Sequence, residues 1–340
     1  MVVIDGAFGE GGGQILRTSL ALSLVTCKPF QIERIRANRK KPGLGKQHLT
    51  AVNAAAQVGS AHVQGNSLGS MELTFAPQQI IPGRYHFVVG TAGSSTLVLQ
   101  TILPALLTVP TRSELILEGG THNPLAPSFD FLEKTFLPIL CRMGVNITVS
   151  LERPGFYPAG GGKFSALIEP TNQLSRLDLF ERGIIKKCSA TALLSKLPQH
   201  IGERELNILE RELGWPARNL TIEEVQNPYG PGNALIAKVE CEHITTVFTG
   251  FGERGVRAET VAHKLAEEIR EYLDADVPVD RHLADQLILP MALAGGGGFR
   301  TIAPTTHTLT NIEVLKQFLA IDVSLAQLNP AVWEVTIKNP

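Results

Sequence analysis

Apolar positions along the first half of the chain come in two textures, and their alternation predicts a β/α order. Short runs rich in β-branched and aromatic residues read as strands at Val2–Ile4, Ile32–Ala37, Gly69–Phe75, Tyr85–Val89, Asn146–Leu151 and Phe164–Ile168. Longer apolar stretches read as helices at Ile15–Leu24, Leu49–Val58, Thr96–Thr108 and Phe129–Met143, and another opens near Ala284. Three of these helices share a fragment: Ile102-Leu103-Pro104-Ala105-Leu106, Phe136-Leu137-Pro138-Ile139-Leu140 and Ile288-Leu289-Pro290-Met291-Ala292-Leu293. An interior proline costs a helix roughly 3 kcal/mol. Its recurrence in one apolar setting predicts a repeated β/α unit.

The texture changes near Gly183. From there to about Pro278 the chain is more charged and carries two amphipathic helices, one with Leu206, Leu209 and Leu213 on a face, the other with Val261, Leu265 and Ile269. Strands are expected between them at Leu220–Val225, Ala234–Cys241 and Thr245–Gly250, with a turn at Pro228–Gly232. The apolar, glycine-rich texture resumes at Leu283. We therefore expect a small α/β domain over 183–278, inserted into a larger domain made of 1–182 and 279–340. A length of 340 residues fits two domains.

Composition narrows the class. The chain is 44% hydrophobic and 19% charged, which suits a globular protein with a sizeable core. No run of eighteen apolar residues occurs, so no membrane span is expected. The start lacks the charged and apolar regions of a secretory signal. Cys27, Cys141, Cys188 and Cys241 are scattered, which suggests neither a disulfide framework nor a zinc site and leads us to expect a cytoplasmic location. A formal net charge of −1 argues against broad polyanion binding, so any nucleic-acid contact must be a local patch.

Two loops offer such chemistry. Asp5-Gly6-Ala7-Phe8-Gly9-Glu10-Gly11-Gly12-Gly13-Gln14 joins a strand to a helix, where backbone amides and a helix N-terminus suit phosphate. It is neither dinucleotide fingerprint nor P-loop, because Gln14 stands where glycine is required and no G-x-x-x-x-G-K-[ST] occurs. A carboxylate repels phosphate, so Glu10 makes sense there if a divalent cation lies between them; otherwise it is an exposed acid in a flexible turn. The second loop, Asn38 to His48, belongs to a run with six basic residues between Arg34 and Lys46 and no acid. Arginine forks there suit bidentate phosphate contacts, the alternative being solvated charge.

Ile302-Ala303-Pro304-Thr305-Thr306-His307-Thr308-Leu309-Thr310-Asn311-Ile312 is β-branched and hydroxyl-rich, and it reads as a short strand entering a turn. His307 is its one imidazole, a nucleophile that is largely unprotonated at neutral pH. Neighbouring hydroxyls and amides are candidates to orient the ring or hold phosphate.

These pieces, together with Gly90–Gln100, Gly120–Pro127, Leu283-Ala284-Asp285-Gln286-Leu287 and above all Gly155-Phe156-Tyr157-Pro158-Ala159-Gly160-Gly161-Gly162, closely resemble RNA 3′-terminal phosphate cyclases nearly end to end. The resemblance implies an α/β fold: three repeats of a β/α unit, each with two helices on a four-stranded sheet, and a smaller inserted domain of thioredoxin-like topology. It implies ATP as co-substrate, RNA 3′-phosphate ends as the other substrate, and a divalent metal, Mg2+ or Mn2+. In such enzymes a histidine carries AMP, passes it to the RNA 3′-phosphate, and the 2′-OH then displaces it.

Residue by residue, His307 falls at the nucleophile position and Glu10 at the metal carboxylate. Arg17, Arg36, Arg39 and Gln47 match residues around the phosphates. Gln100, Pro127, His282, Leu283, Ala284, Asp285 and Gln286 match the ATP pocket. His282 departs from the pattern, since many relatives carry a tyrosine there that stacks on adenine. A homodimer is compatible with all of this. Two other readings come from the same fold: a cyclase-like ribosome-biogenesis factor that has lost activity, and a carboxyvinyl transferase, which would need no adenylylated histidine and lacks the Gly155–Gly162 signature.

Overall fold

Val2–Asp5 forms strand β1, with Ile4 turned into the core. Helix α1 (Gly13–Thr26), β2 (Phe30–Glu33), α2 (Lys46–Val58), β3 (His62–Gln64) and β4 (Leu73–Ala76) follow. In this computed structural model, which describes residues 1–171 and 173–339, the four strands make a sheet in the order β1-β2-β4-β3. The first pair is parallel and the other two are antiparallel.

The next segment repeats the plan. It runs β5 (Arg84–Val88), α3 (Ser95–Leu106), β6 (Ser113–Gly119), a helical stretch, β7 (Ile147–Arg153) and β8 (Gly162–Ile168). Its sheet has the order β5-β6-β8-β7, again one parallel pair and two antiparallel ones. The helical stretch is α4 (Phe129–Phe131), a π-helical turn (Leu132–Phe136) and α5 (Leu137–Arg142). Pro138 has no N–H to give, and the widened turn before it interrupts the regular bonding there.

A third unit begins with β9 (Leu177–Leu179) and is then interrupted. The interruption contains β10 (Ile185–Ser195), α6 (Gln199–Leu213), β11 (Leu220–Glu224), β12 (Gly232–Cys241), β13 (Thr245–Phe251) and α7 (Ala258–Ala275). Its own sheet runs β11-β10-β12-β13, with β10 and β11 parallel. Leu206 and Leu209 of α6 and Val261, Leu265 and Ile269 of α7 are buried, as their spacing predicts. The third unit resumes with α8 (Arg281–Leu293), β14 (Gly296–Thr301), α9 (Thr306–Phe318), β15 (Asp322–Gln327) and β16 (Trp333–Lys338). The order β9-β14-β16-β15 and its parities repeat those of the other two units.

The repeat is therefore real, yet the Leu-Pro fragment does not mark equivalent places. Pro104 and Pro290 lie inside the first helices of the second and third units. Pro138 lies in the second helix of the second unit, and the helices of the first unit hold no proline.

Two expectations about local structure change. Residues 306–318 are helical, not a strand and turn. Thr305 caps α9 by accepting a hydrogen bond from Thr308 N–H at 3.2 Å, and Thr308, Asn311, Ile312, Leu315 and Phe318 are its buried face. Helical spacing of the apolar residues outweighs the β-branched composition. Likewise, the strand expected at Ile32–Ala37 ends at Glu33, where Arg34 and Arg36 take left-handed φ values of 54° and 53° and turn the chain. Among the described residues, no helix is long and apolar enough to cross a membrane.

Candidate active site

Helix α1 packs against α2, α3 and α9, and α8 packs against α9. The N-terminal ends of α1, α2, α8 and α9 consequently line one cleft of about 700 Å³. Backbone N–H groups at these helix starts favour an anion, although Asp280 caps α8 by accepting from His282 and Leu283 N–H and Thr305 caps α9.

His307 is the second residue of α9 and lies in this cleft, half exposed. Its Nδ1 is 2.8 Å from Gln14 Oε1, and Gln14 Nε2 donates to Asp285 Oδ2 at 2.9 Å. The carboxylate thereby orients the amide, and the amide oxygen accepts from Nδ1–H. That tautomer leaves the Nε2 lone pair free. Burial first, then the charges of Arg17, Arg39 and His282, hold the His307 pKa below its ordinary value. The neutral, nucleophilic form is favoured.

The hydroxyls around His307 do other work. Thr305 caps the helix, and Thr310 Oγ1 accepts from Glu10 N–H at 3.1 Å, tying the glycine loop to α9. Asn311 donates to the Asp285 carbonyl at 2.7 Å and accepts from Thr18 Oγ1 at 2.9 Å, joining α9, α8 and α1.

Glu10 Oε1 is 3.6 Å from His307 Nε2, and the Arg39 guanidinium pairs with the same oxygen. Glu10 Oε2 is buried and, among the described residues, has no hydrogen-bond partner. Among the described residues, no three His, Cys, Asp or Glu side chains cluster as a metal cage. A single carboxylate with one free oxygen suits Mg2+, which keeps several waters and completes its shell with substrate phosphates.

Arg17 lies between Asp285 and His48. Burial lowers its pKa to about 10, partly opposed by the Asp285 charge. His48 is pushed down to about 3 by burial and by Arg17 and Arg36, so it is a neutral neighbour of these guanidiniums. Arg36 donates to the Gly43 carbonyl at 2.7 Å, which holds its fork at the cleft. Gln47 also lines the cleft and accepts from Ser94 N–H at 2.7 Å.

At the other end Gln100 donates to Gln286, and Gln286 donates to the His282 carbonyl at 3.0 Å. Pro127 lines this end and accepts from Thr96 Oγ1 at 2.8 Å. His282 is 3.2 Å from Glu268 Oε1, and that hydrogen bond raises its pKa to about 9. Asp285 is raised to about 7, chiefly by burial. Leu283 and Ala284 are fully buried in the inner face of α8 and do not line the cleft. Gln14 and His48 are further side chains of the site that no motif in the sequence marks. Gln14 carries one local signal: a polar residue at the start of an otherwise apolar helix.

A family model described as RNA 3′-terminal phosphate cyclase matches residues 8–325. A protein of that name from Koribacter versatilis is 52% identical over 327 residues, covering 96% of this chain and 92% of its own. Similar proteins from Ralstonia nicotianae and Ectopseudomonas mendocina are 50% and 46% identical, each across 99% of this chain and at least 97% of their own.

Proposed function

The chain belongs to the RNA 3′-terminal phosphate cyclase family, and on that basis we propose that it converts RNA 3′-phosphate ends to 2′,3′-cyclic phosphates through a histidine–AMP intermediate on His307. Nε2 of His307 attacks the α-phosphorus of ATP; the N–P bond forms as the bond to pyrophosphate breaks. An oxygen of the RNA 3′-phosphate then attacks the same phosphorus, and the N–P bond breaks. The 2′-oxygen closes on the terminal phosphorus and AMP leaves. Each step is a displacement at phosphorus, helped mainly by positioning and positive charge. A DNA end has no 2′-OH and cannot close.

The observation that carries this reading is the His307–Gln14–Asp285 chain, which leaves Nε2 unprotonated and turned towards the cleft. Arg17, Arg36 and Arg39 hold phosphate oxygens, with Gln47 beside them. Gln100, Pro127, His282, Asp285 and Gln286 form the nucleotide end, Leu283 and Ala284 backing it from the core. The imidazolium of His282 can stack on adenine by cation–π attraction in place of tyrosine. Glu10 would hold a divalent cation, which supplies charge neutralisation at the phosphates.

We also propose that 1–182 with 279–340 is the catalytic domain and 183–278 a separate inserted domain. Each of the four sheets closing within its own unit supports that division. Four free cysteines accord with a cytoplasmic location.

The test is incubation with α-labelled ATP and Mg2+, followed by denaturing electrophoresis. An acid-labile label on the protein, lost in His307→Ala, is expected. Label retained in that variant, or an acid-stable and hydroxylamine-sensitive adduct, would sink the assignment. A non-catalytic scaffold would take up no label.

A further inference from the structure

The glycine-rich segment Gly155–Gly162 contributes nothing to the lining of the cleft. It connects two pieces of chain that do. On one side it holds the segment after β6. Thr121 N–H and His122 N–H both donate to the Gly155 carbonyl at 2.9 Å, and Gly155 N–H donates to Thr121 Oγ1 at 2.8 Å. The Thr121 hydroxyl is 2.9 Å from His122 Nδ1, and Nε2 of that buried ring is 2.8 Å from Asp130 Oδ2. The residues between, Pro124 to Ser128, form one wall of the apolar end of the cleft.

On its other side the segment meets the turn before β12. A Cβ at Gly161 would run into the ring of Tyr229, and one at Gly232 would run into the ring of Phe156. Each partner thus offers a glycine notch to the other's aromatic ring. Arg153 reinforces the contact: its Nε donates to the Gly161 carbonyl at 2.7 Å, and its guanidinium lies 5.7 Å from the centre of the Tyr229 ring. Gly232 opens β12, which pairs with β13 from Ala234 to Glu240. Val247, Phe248, Thr249 and Phe251 of β13 form the facing wall of the same end of the cleft. The two walls touch where Ser128 Oγ lies 3.0 Å from Thr249 Oγ1.

We propose that the Gly155–Gly162 segment is a joint that sets the spacing of these two walls, and that Tyr229 is a positioning residue for the nucleobase of ATP. The proposal rests on the assignment of this end of the cleft to adenine. Tyr229 touches no substrate, and its ring is largely exposed, so removing it leaves the cores intact. Gly161→Ala attacks the same contact from the opposite side: its new Cβ meets the Tyr229 ring, and the φ of 73° there also strains the turn.

The experiment measures formation of the protein–AMP adduct against ATP concentration in wild type, Tyr229→Ala, Tyr229→Phe and Gly161→Ala. Inhibition of that reaction by tripolyphosphate, which carries the phosphates without the base, is measured in parallel. For Tyr229→Ala and Gly161→Ala the KM for ATP is expected to rise about threefold to tenfold with kcat unchanged. The inhibition constant for tripolyphosphate should stay at the wild-type value, and Tyr229→Phe should restore the KM. A wild-type KM in both variants overturns the joint. So does a lowered kcat at unchanged KM, since that reports a loss of folded enzyme. Weakened tripolyphosphate binding also overturns it, because the contact would then act on the phosphate end. Absence of any adduct in the wild-type protein would instead refute the underlying reading of the site.

Discussion

Glu10 Oε1 stands 3.6 Å from Nε2 of His307, and the second oxygen of that carboxylate is buried without a hydrogen-bond partner among the described residues. With Nδ1–H given to Gln14, the imidazole presents a lone pair towards a carboxylate oxygen. Two electron-rich groups at that distance repel unless positive charge or an electrophile lies between them. Arg39 meets part of the need by pairing with Oε1. A phosphate-bound cation at Oε2 and the α-phosphorus at Nε2 would meet the rest.

Glu10→Ala is accordingly expected to slow adduct formation and to recover part of the rate when Mg2+ is raised. Metal titration of the single-turnover rate tests this. An unchanged rate with an unchanged metal dependence would return Glu10 to a role in the turn alone.

Arg39 pairs with Glu10, which lies beside His307, so under the proposed mechanism the basic loop would serve the first step as well as the RNA end. Losing a charge-assisted contact worth roughly 1.5–3 kcal/mol slows a step by about tenfold to a hundredfold. Arg39→Ala should therefore depress both adenylylation and cyclisation. Single-turnover rates for each step separate the possibilities: a normal first step with a failed second would confine Arg39 to the RNA end. Wild-type rates in both would leave the loop as solvated charge.

The pH dependence of adduct formation should report the environment of His307. Burial and the nearby Arg17, Arg39 and His282 charges lower its pKa from 6.5. As pH falls through 6.5, a free imidazole would already be half protonated, whereas this ring stays neutral and nucleophilic. The acid limb of the rate is expected below 6.5 at saturating ATP. Asp285, raised to about 7, titrates in the same window, so the midpoint is read in Asp285→Asn as well, where a value at or above 6.5 would contradict the arrangement.

How far the sequence reaches depends on the range of the interaction. Most helices, many of the strands, the change of texture near Gly183, and the loops bearing Glu10 and Arg39 follow from local patterns. The patterns leave out long strands, Ser113–Gly119 and Ile185–Ser195, as well as strands of weak signal. Leu177–Leu179 is three residues long, and Gly296–Thr301 opens on three glycines, which carry no β-forming side chain. Residues 306–312 are helical against their β-branched composition, which is a weaker guide than the spacing of Ile312, Leu315 and Phe318.

The candidate nucleophile was legible as a residue, but its chemistry was not. His307 and Gln14 are 293 positions apart, and only the packing of α9 against α1 brings them to 2.8 Å. That contact selects the tautomer, and the burial that comes with it lowers the pKa. The sequence by itself determined which reactive groups the chain owns and which elements carry them. Tertiary structure decided which nitrogen of His307 is free, which oxygen of Glu10 lacks a partner, and how the inserted segment walls the cleft. Those properties come from desolvation and from hydrogen bonds between distant elements, and no local pattern of residues encodes either.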